Sequence, residues 1–138
     1  MDDTQYDYDI AVIGAGSAGV RFARMAASKG ARVVVFEKGA LGGTCVNVGC
    51  VPKKLFVYAA DVSDQLRIAK GYGWTIGSAQ HNWSTMIQNK DQEIGRLNSV
   101  YGRLLDRSGA TTVHARATIT DPHTVSANGS RWTAEHIV

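Results

Sequence analysis

The chain has 138 residues, 44% of them apolar and 20% charged, with 15 Lys+Arg against 12 Asp+Glu and a formal net charge of +3. That is the length and composition of one ordinary globular domain rather than of a disordered chain. The basic residues are scattered, no run of about eighteen apolar residues occurs, and the acidic start Met1-Asp2-Asp3 lacks the basic and apolar regions of a secretory signal. The expectation is a cytoplasmic protein that engages neither nucleic acid nor membrane. In a reducing compartment a close cysteine pair is more often catalytic or metal-bound than structural.

Tyr8 to Ile13 reads as a buried strand ending at Gly14, and Ser17 to Ser28 as a helix stopped by Gly30. Arg32 to Phe36 is nearly all apolar, as a strand covered on both faces should be. Together they form a βαβ unit of the kind that builds a parallel sheet. Gly14-Ala15-Gly16-Ser17-Ala18-Gly19 fits G-x-G-x-x-G at the strand-to-helix turn. Gly14 permits the turn, Gly16 lets backbone approach a pyrophosphate, and Gly19 lets helix and strand pack closely. The helix N-terminus offers free N–H groups to phosphate. Glu37, at the tip of the second strand, stands where an acidic residue meets a ribose hydroxyl. This combination indicates NAD or FAD and disfavours a 2′-phosphate.

After Glu37 a glycine-rich loop leads to Cys45 and Cys50, the only two cysteines, and a helix is predicted from there to about Ile68. The stretch from Lys70 to Asn82 reads as a surface loop. A long helix is predicted from Trp83 or Ser84 to about Asp106, with Ile87, Ile94, Leu97, Tyr101, Leu104 and Leu105 along one face and Gly109 as its stop. Short strands are predicted over Thr112 to Ile119, Thr124 to Ser126 and Arg131 to Ala134. Turns fall at Asp121-Pro122-His123 and Asn128-Gly129, the latter a strong hairpin signal. His136-Ile137-Val138 reads as the opening of another buried strand, so the chain is expected to be the first part of a larger protein.

Three readings of the cysteine pair compete. A zinc site would need four ligands, and His81, His114, His123 and His136 lie at no ligand spacing, so no metal is expected. Two unrelated buried thiols sit poorly with the flanking Gly42, Gly43 and Gly49 and with Pro52, Lys53 and Lys54. The third reading is a redox disulfide. On a regular helix five residues rise about 7.5 Å, and disulfide Cα atoms seldom lie beyond about 7 Å. The helix must therefore be distorted between the cysteines, which Gly49 makes easier. Lys53, Lys54 and a nearby helix N-terminus are expected to lower a thiolate pKa.

The segment Gly42-Gly43-Thr44-Cys45-Val46-Asn47-Val48-Gly49-Cys50-Val51-Pro52-Lys53-Lys54 closely resembles the active-site segment of the FAD-dependent pyridine nucleotide–disulfide oxidoreductases. The order of elements from about Tyr8 to Val138 follows that family. The resemblance implies an α/β fold: a Rossmann-like FAD-binding domain with a parallel sheet, long helices and a small β-meander. Residues 1–138 would be the N-terminal part of that domain and 42–54 its redox-disulfide segment. It further implies FAD as the bound cofactor, NADPH or NADH as co-substrate held elsewhere, and a homodimer. The NADPH-binding and dimerisation domains, a later acidic FAD contact and a His–Glu pair from the other subunit would lie outside these residues. The chain by itself is therefore expected not to turn over.

Within the family, the ending Val51-Pro52-Lys53-Lys54 and the stretch from Asn82-Trp83 to Tyr101 resemble the glutathione and trypanothione reductase branch, rather than dihydrolipoamide dehydrogenases and mercuric reductases. Trypanothione reductases place an acidic residue and a Trp at the positions of Arg21 and Arg24. Two arginines there favour glutathione disulfide, which is anionic, over a polyamine-linked substrate. By the same resemblance Arg24 pairs with a glycyl carboxylate, Ser17 lies near flavin and substrate, and Tyr101 covers the glutathione site unless it merely packs in the core. Gly14, Gly16, Ser17, Ala18, Gly19, Glu37, Thr44, Cys45, Lys53 and Ala117 would contact FAD, Lys53 near flavin N5 and Ala117 through backbone. Ala18 stands where many relatives have Gly, with little effect expected from a backbone contact. NADPH would reduce FAD, and FAD the Cys45–Cys50 disulfide, with Cys50 nearest the flavin and Cys45 attacking glutathione disulfide.

Overall fold

The computed structural model describes residues 6–138; the acidic start, Met1–Gln5, lies outside the described residues. β1 (Tyr8–Ile13), α1 (Ser17–Ser28) and β2 (Val33–Glu37) form the expected βαβ unit, with β1 and β2 parallel from Ile10↔Val33 to Ile13↔Phe36. β2 shows why its sequence is uniformly apolar. Val33 and Val35 join one core cluster, while Val34 and Phe36 join another on the opposite face, and all four are buried. Each fully buried side chain of this size contributes about 1.5–3 kcal/mol. The first cluster is closed by Val20 and Ala23 of α1 and by Leu105. Gly30 ends α1 as expected, donating its N–H to the Ala27 carbonyl at 2.9 Å.

The cysteine segment divides into α2 (Gly43–Asn47) and α3 (Cys50–Ile68), followed by a 3₁₀ turn over Ala69–Tyr72 and a loop. α4 (Trp83–Ser108) starts where Asn82 Oδ1 accepts the Thr85 N–H at 2.9 Å and stops at Gly109, whose φ is 84°. Of its predicted apolar face, Ile94 and Leu105 are buried, and the helix packs against α1, α2 and α3.

β3 (Thr111–His114), β4 (Thr118–Asp121), β5 (Thr124–Ala127) and β6 (Ser130–Ile137) complete a six-stranded sheet of order β3-β2-β1-β6-β5-β4. Two sequence expectations are corrected here. The single strand expected over Thr112 to Ile119 is two strands, separated where the Ala115 N–H turns back onto the Val113 carbonyl at 3.0 Å. Such a tight turn frees β3 to pair with β2 and β4 to pair with β5. Likewise Arg131–Ala134 and His136–Val138 are not separate strands. β6 pairs antiparallel with β5 through Ser130–Thr133, then parallel with β1 through Ala134, His136 and Ile137. The Asn128-Gly129 hairpin is as predicted, both residues having positive φ, at 50° and 75°.

The sheet order places a topological switch at β1, flanked by β2 on one side and β6 on the other. In open α/β sheets ligands bind outside the carboxyl ends of the strands at such a point. Gly14 lies there, its N–H bonded to the Phe36 carbonyl at 2.8 Å.

Two glycines should respond to an added methyl in opposite ways. A Cβ on Gly19 would fall 2.0 Å from the Gly14 carbonyl oxygen, whereas one on Gly95, within α4, meets nothing within 4 Å. Gly19→Ala is expected to cost about 3 kcal/mol, a drop in Tm on the order of 10 °C. Gly95→Ala is expected to stabilise by about 0.5–1 kcal/mol. Thermal melts of the two variants check both signs.

Candidate active site

The site begins as a backbone seam. Gly42 adopts φ 99° and Gly43 φ 61°, left-handed conformations that favour glycine. They let the cysteine loop lie directly on the first glycine loop: the Gly42 N–H donates to the Ala15 carbonyl at 2.8 Å, and Gly42 pairs with Gly16 as an isolated parallel bridge. A Cβ on Gly43 would stand 2.8 Å from Gly16 Cα. On its other side the first loop is tied to β2, because Glu37 Oε2 accepts the Ala15 N–H at 2.8 Å and Oε1 accepts the Gly39 N–H at 2.8 Å. A carboxylate has about four lone-pair sites, so Glu37 can order this loop and still accept a further hydroxyl.

α1 has no side-chain cap at its N-terminus. An uncapped start leaves N–H donors and the positive end of the helix dipole facing the switch point. A Cβ on Gly16 would meet nothing closer than Gly43 Cα at 3.9 Å, so protein atoms leave its surface open for a ligand. The donor set, the acidic acceptor and the clear glycine surface fit the pyrophosphate and ribose of a dinucleotide.

The expected helix distortion is present as a break. Val48 caps α2, Gly49 precedes α3, and a Cβ on Gly49 would press on the Thr44 carbonyl oxygen at 3.0 Å. The break folds Cys50 back toward Cys45. The Cys50 side chain and the Ser17 hydroxyl are the neighbours that act on the Cys45 proton. Cys45 is half-buried, Cys50 exposed, and both are free thiols. Val48 is 76% exposed, leaving that end of the loop open to solvent.

The direction of the Cys45 pKa corrects the sequence expectation of a lowered thiolate. Cys45 is held above the ordinary cysteine range, first by the neighbouring Cys50 side chain and then by burial. The Cys50 backbone N–H and the Ser17 hydroxyl pull the other way. Lys53 and Lys54, both exposed, do not set it. The reason is proximity: the Cys50 side chain acts on the Cys45 proton more strongly than burial does.

The structure brings together Gly14, Gly16, Ser17, Gly19, Glu37, Thr44, Cys45 and Cys50 around the seam, with Lys53 one turn into α3 and its N–H on the Gly49 carbonyl at 3.0 Å. Ala18 is exposed on the first turn of α1. Ala117 packs against the core cluster that includes Phe36, three residues beyond the β3 residue His114 that pairs with Glu37. Arg24 faces a cavity of about 340 Å³ between α1 and α4, together with Arg21 and Arg107. None of the three arginines is in an ion pair among the described residues. Tyr101 is half-buried against the first core cluster, which is the packing alternative for it. Sequence reasoning missed Asn47 and Asn98, whose side chains bridge α4 to the cysteine loop. The available signal was a poor helix former on the inward face of α4, where a polar group has to find partners. No group of three or more His, Cys, Asp or Glu side chains able to hold a metal occurs among the described residues, and no helix there is long and apolar enough to cross a membrane.

The influence of Cys50 on Cys45 has a measurable consequence. Cys50→Ala removes the largest influence raising the Cys45 pKa, so the Cys45 thiolate should appear at lower pH. The midpoint of the pH–rate profile for iodoacetamide labelling of Cys45, followed by peptide mass spectrometry, is expected to move down. An unmoved or higher midpoint would show that Cys50 does not raise the Cys45 pKa.

Comparison with known proteins places this geometry. The sequence model of the pyridine nucleotide-disulphide oxidoreductase family matches residues 8–138. Over 134 residues the chain is 44% identical to a glutathione reductase of Burkholderia cepacia, covering 97% of this chain and 30% of that protein. It is 42% identical to a chloroplastic/mitochondrial glutathione reductase of Pisum sativum, covering 97% and 26%. It is also 42% identical to the thioredoxin reductase SEP1 of Emiliania huxleyi, covering 92% and 28%. The chain thus spans under a third of the length of these curated relatives. With nearly all of its residues matched, and with a Rossmann-like sheet carrying a glycine loop against a cysteine pair, the chain belongs to the pyridine nucleotide-disulphide oxidoreductase family.

Proposed function

We propose that this chain is the N-terminal part of an FAD-binding domain, and that it carries the redox pair of an NADPH-dependent flavoprotein reductase acting on glutathione disulfide. The observation that carries this reading is the seam that lays the cysteine loop, with Cys45 and Cys50, directly on the dinucleotide loop at Gly16. FAD, when bound, supplies a two-electron carrier between NADPH and a disulfide. The first turn of α1 and Glu37 would hold its pyrophosphate and ribose, with Thr44, Lys53 and the backbone at Ala117 as further contacts.

The chain's own residues then account for the exchange steps. Reduced Cys45 attacks one sulfur of the substrate; the substrate S–S bond breaks, one glutathione leaves as a thiol, and the other stays on Cys45 as a mixed disulfide. Cys50 attacks the Cys45 sulfur, releasing the second glutathione and leaving a Cys45–Cys50 disulfide. Two electrons have passed from the cysteine pair to the substrate. The Ser17 hydroxyl stabilises negative charge on Cys45. Arg24, supported by the charge of Arg21, pairs with a glycyl carboxylate, and Tyr101 borders that site. Exposed apolar residues along α3, among them Val57, Tyr58, Val62 and Leu66, support a homodimer. Thiol chemistry of this kind belongs in a reducing compartment, the cytoplasm or an organelle. The similarity to a thioredoxin reductase favours one second reading, in which the substrate is a protein disulfide.

In the holoenzyme, glutathione disulfide is expected to be reduced in preference to trypanothione disulfide or a thioredoxin. Arg24→Glu is expected to raise KM for glutathione disulfide by tenfold or more, with kcat changed far less. Two-electron reduction should produce a long-wavelength absorbance band that Cys50→Ser abolishes. A preference for trypanothione disulfide sinks the arginine argument, and a band that survives Cys50→Ser sinks the assignment of Cys50 to the flavin side.

A further inference from the structure

Asn98 lies on α4, outside the glycine loops and the cysteine segment. Its side-chain amide donates one N–H to the Leu41 carbonyl at 2.7 Å and one to Asn47 Oδ1 at 2.9 Å, which uses both of its donors. Asn47 carries the constraint onward. Its amide donates to the Gly43 carbonyl at 2.8 Å, with the Leu41 and Ala40 carbonyls at 3.3 and 3.4 Å. The carbonyls so held belong to Leu41 and Gly43, on either side of Gly42, and the chain of bonds closes on Asn47, the last residue of α2. Cys45 lies inside that closed loop. Cys50 does not: it opens α3, beyond the break at Val48-Gly49. The two sulfurs therefore meet only where α2 is held in one place relative to α3.

We infer that Asn98 is a positioning residue for the redox pair: acting through Asn47, it locks α2 so that the Cys45 thiol stands in contact with the Cys50 thiol. This rests on the redox role proposed above for the two cysteines. Four of these hydrogen bonds are part-buried, so water replaces them poorly when they are lost. A locked α2 raises the effective concentration of one thiol at the other, which favours the disulfide over the dithiol. Releasing it leaves both sulfurs chemically intact and lowers that concentration.

The test is an equilibrium of the full chain with glutathione buffers. One glutathione disulfide takes two electrons and two protons from Cys45 and Cys50, giving two glutathiones and the Cys45–Cys50 disulfide; remaining thiols are trapped by alkylation and weighed by mass spectrometry. Asn98→Ala is expected to lower the equilibrium constant for disulfide formation about tenfold, equivalent to a reduction potential about 30 mV higher, with circular dichroism confirming the fold. Asn98→Asp, of the same volume but without the amide donors, should shift in the same direction, and it decides the matter if Asn98→Ala does not fold. Asn47→Ala combined with Asn98→Ala should shift no further than either alone, because the two act as one chain of bonds. Folded variants whose constant stays within twofold of the unmodified chain overturn the role of Asn98 and leave the redox reading intact. If the unmodified chain forms no Cys45–Cys50 disulfide at any glutathione ratio, the redox reading falls first and the positioning role falls with it.

Discussion

Everything at the carboxyl edge of the sheet depends on backbone meeting backbone where Gly16 faces Gly42 and Gly43. Helix and loop surfaces ordinarily keep apart by the thickness of their side chains. Here one methyl group on Gly43 would come within 2.8 Å of Gly16 Cα and force the two loops apart. The distance between the dinucleotide loop and the cysteines is therefore set by the absence of side chains, and it varies little with the rest of the sequence. Glu37 fixes one wall of the seam through Ala15, and the two asparagines fix the other through Leu41 and Gly43. Polar residues act here as ties for main-chain carbonyl and amide groups, where small shifts would be felt directly by the sulfurs.

The charge layout follows the same geometry. The uncapped start of α1 and the two lysines early in α3 present positive potential beside the cysteine segment, and three arginines line a separate cavity between α1 and α4. Among the described residues Glu37 is the one carboxylate bonded into the seam, and its two oxygens are already engaged by backbone N–H groups. Such a surface favours anions, both as bound phosphates and as incoming substrates. The pair of thiols has its own local balance, set by contact between the two sulfurs more than by the surrounding cations.

Elements governed by local chemistry were legible in the sequence. β1, α1, β2, the long α4 and the Asn128-Gly129 hairpin each carry their own periodicity or stop residue, and each forms within a residue or two of its expected bounds. The glycine loop, Glu37 and the cysteine segment were legible for the same reason. What escaped was decided by partners distant in sequence. The run from Thr112 to Ile119 has a uniform strand composition, yet it splits because β2 and β5 claim its two halves. α2 is a helix of five residues, too short to show a period. The tie between Asn98 and Leu41 spans 57 residues, so nothing beside Asn98 in the chain announces it. Lys53 and Lys54 stand out because they are near the cysteines in sequence, but the first influence on the Cys45 proton is the Cys50 side chain.

β6 is a single strand shared by two structures. Its first half is the last rung of the antiparallel meander, and its second half is the parallel neighbour of β1. No hinge residue or loop separates these halves. Opening of the meander would strip β1 of one of its two neighbours, and the glycine loop at the end of β1 would lose its footing. Unfolding of β6 thus couples the meander to β1. Loss of β6 as a whole would therefore expose the platform beneath the thiols and the meander in one event, although the two halves face different partners.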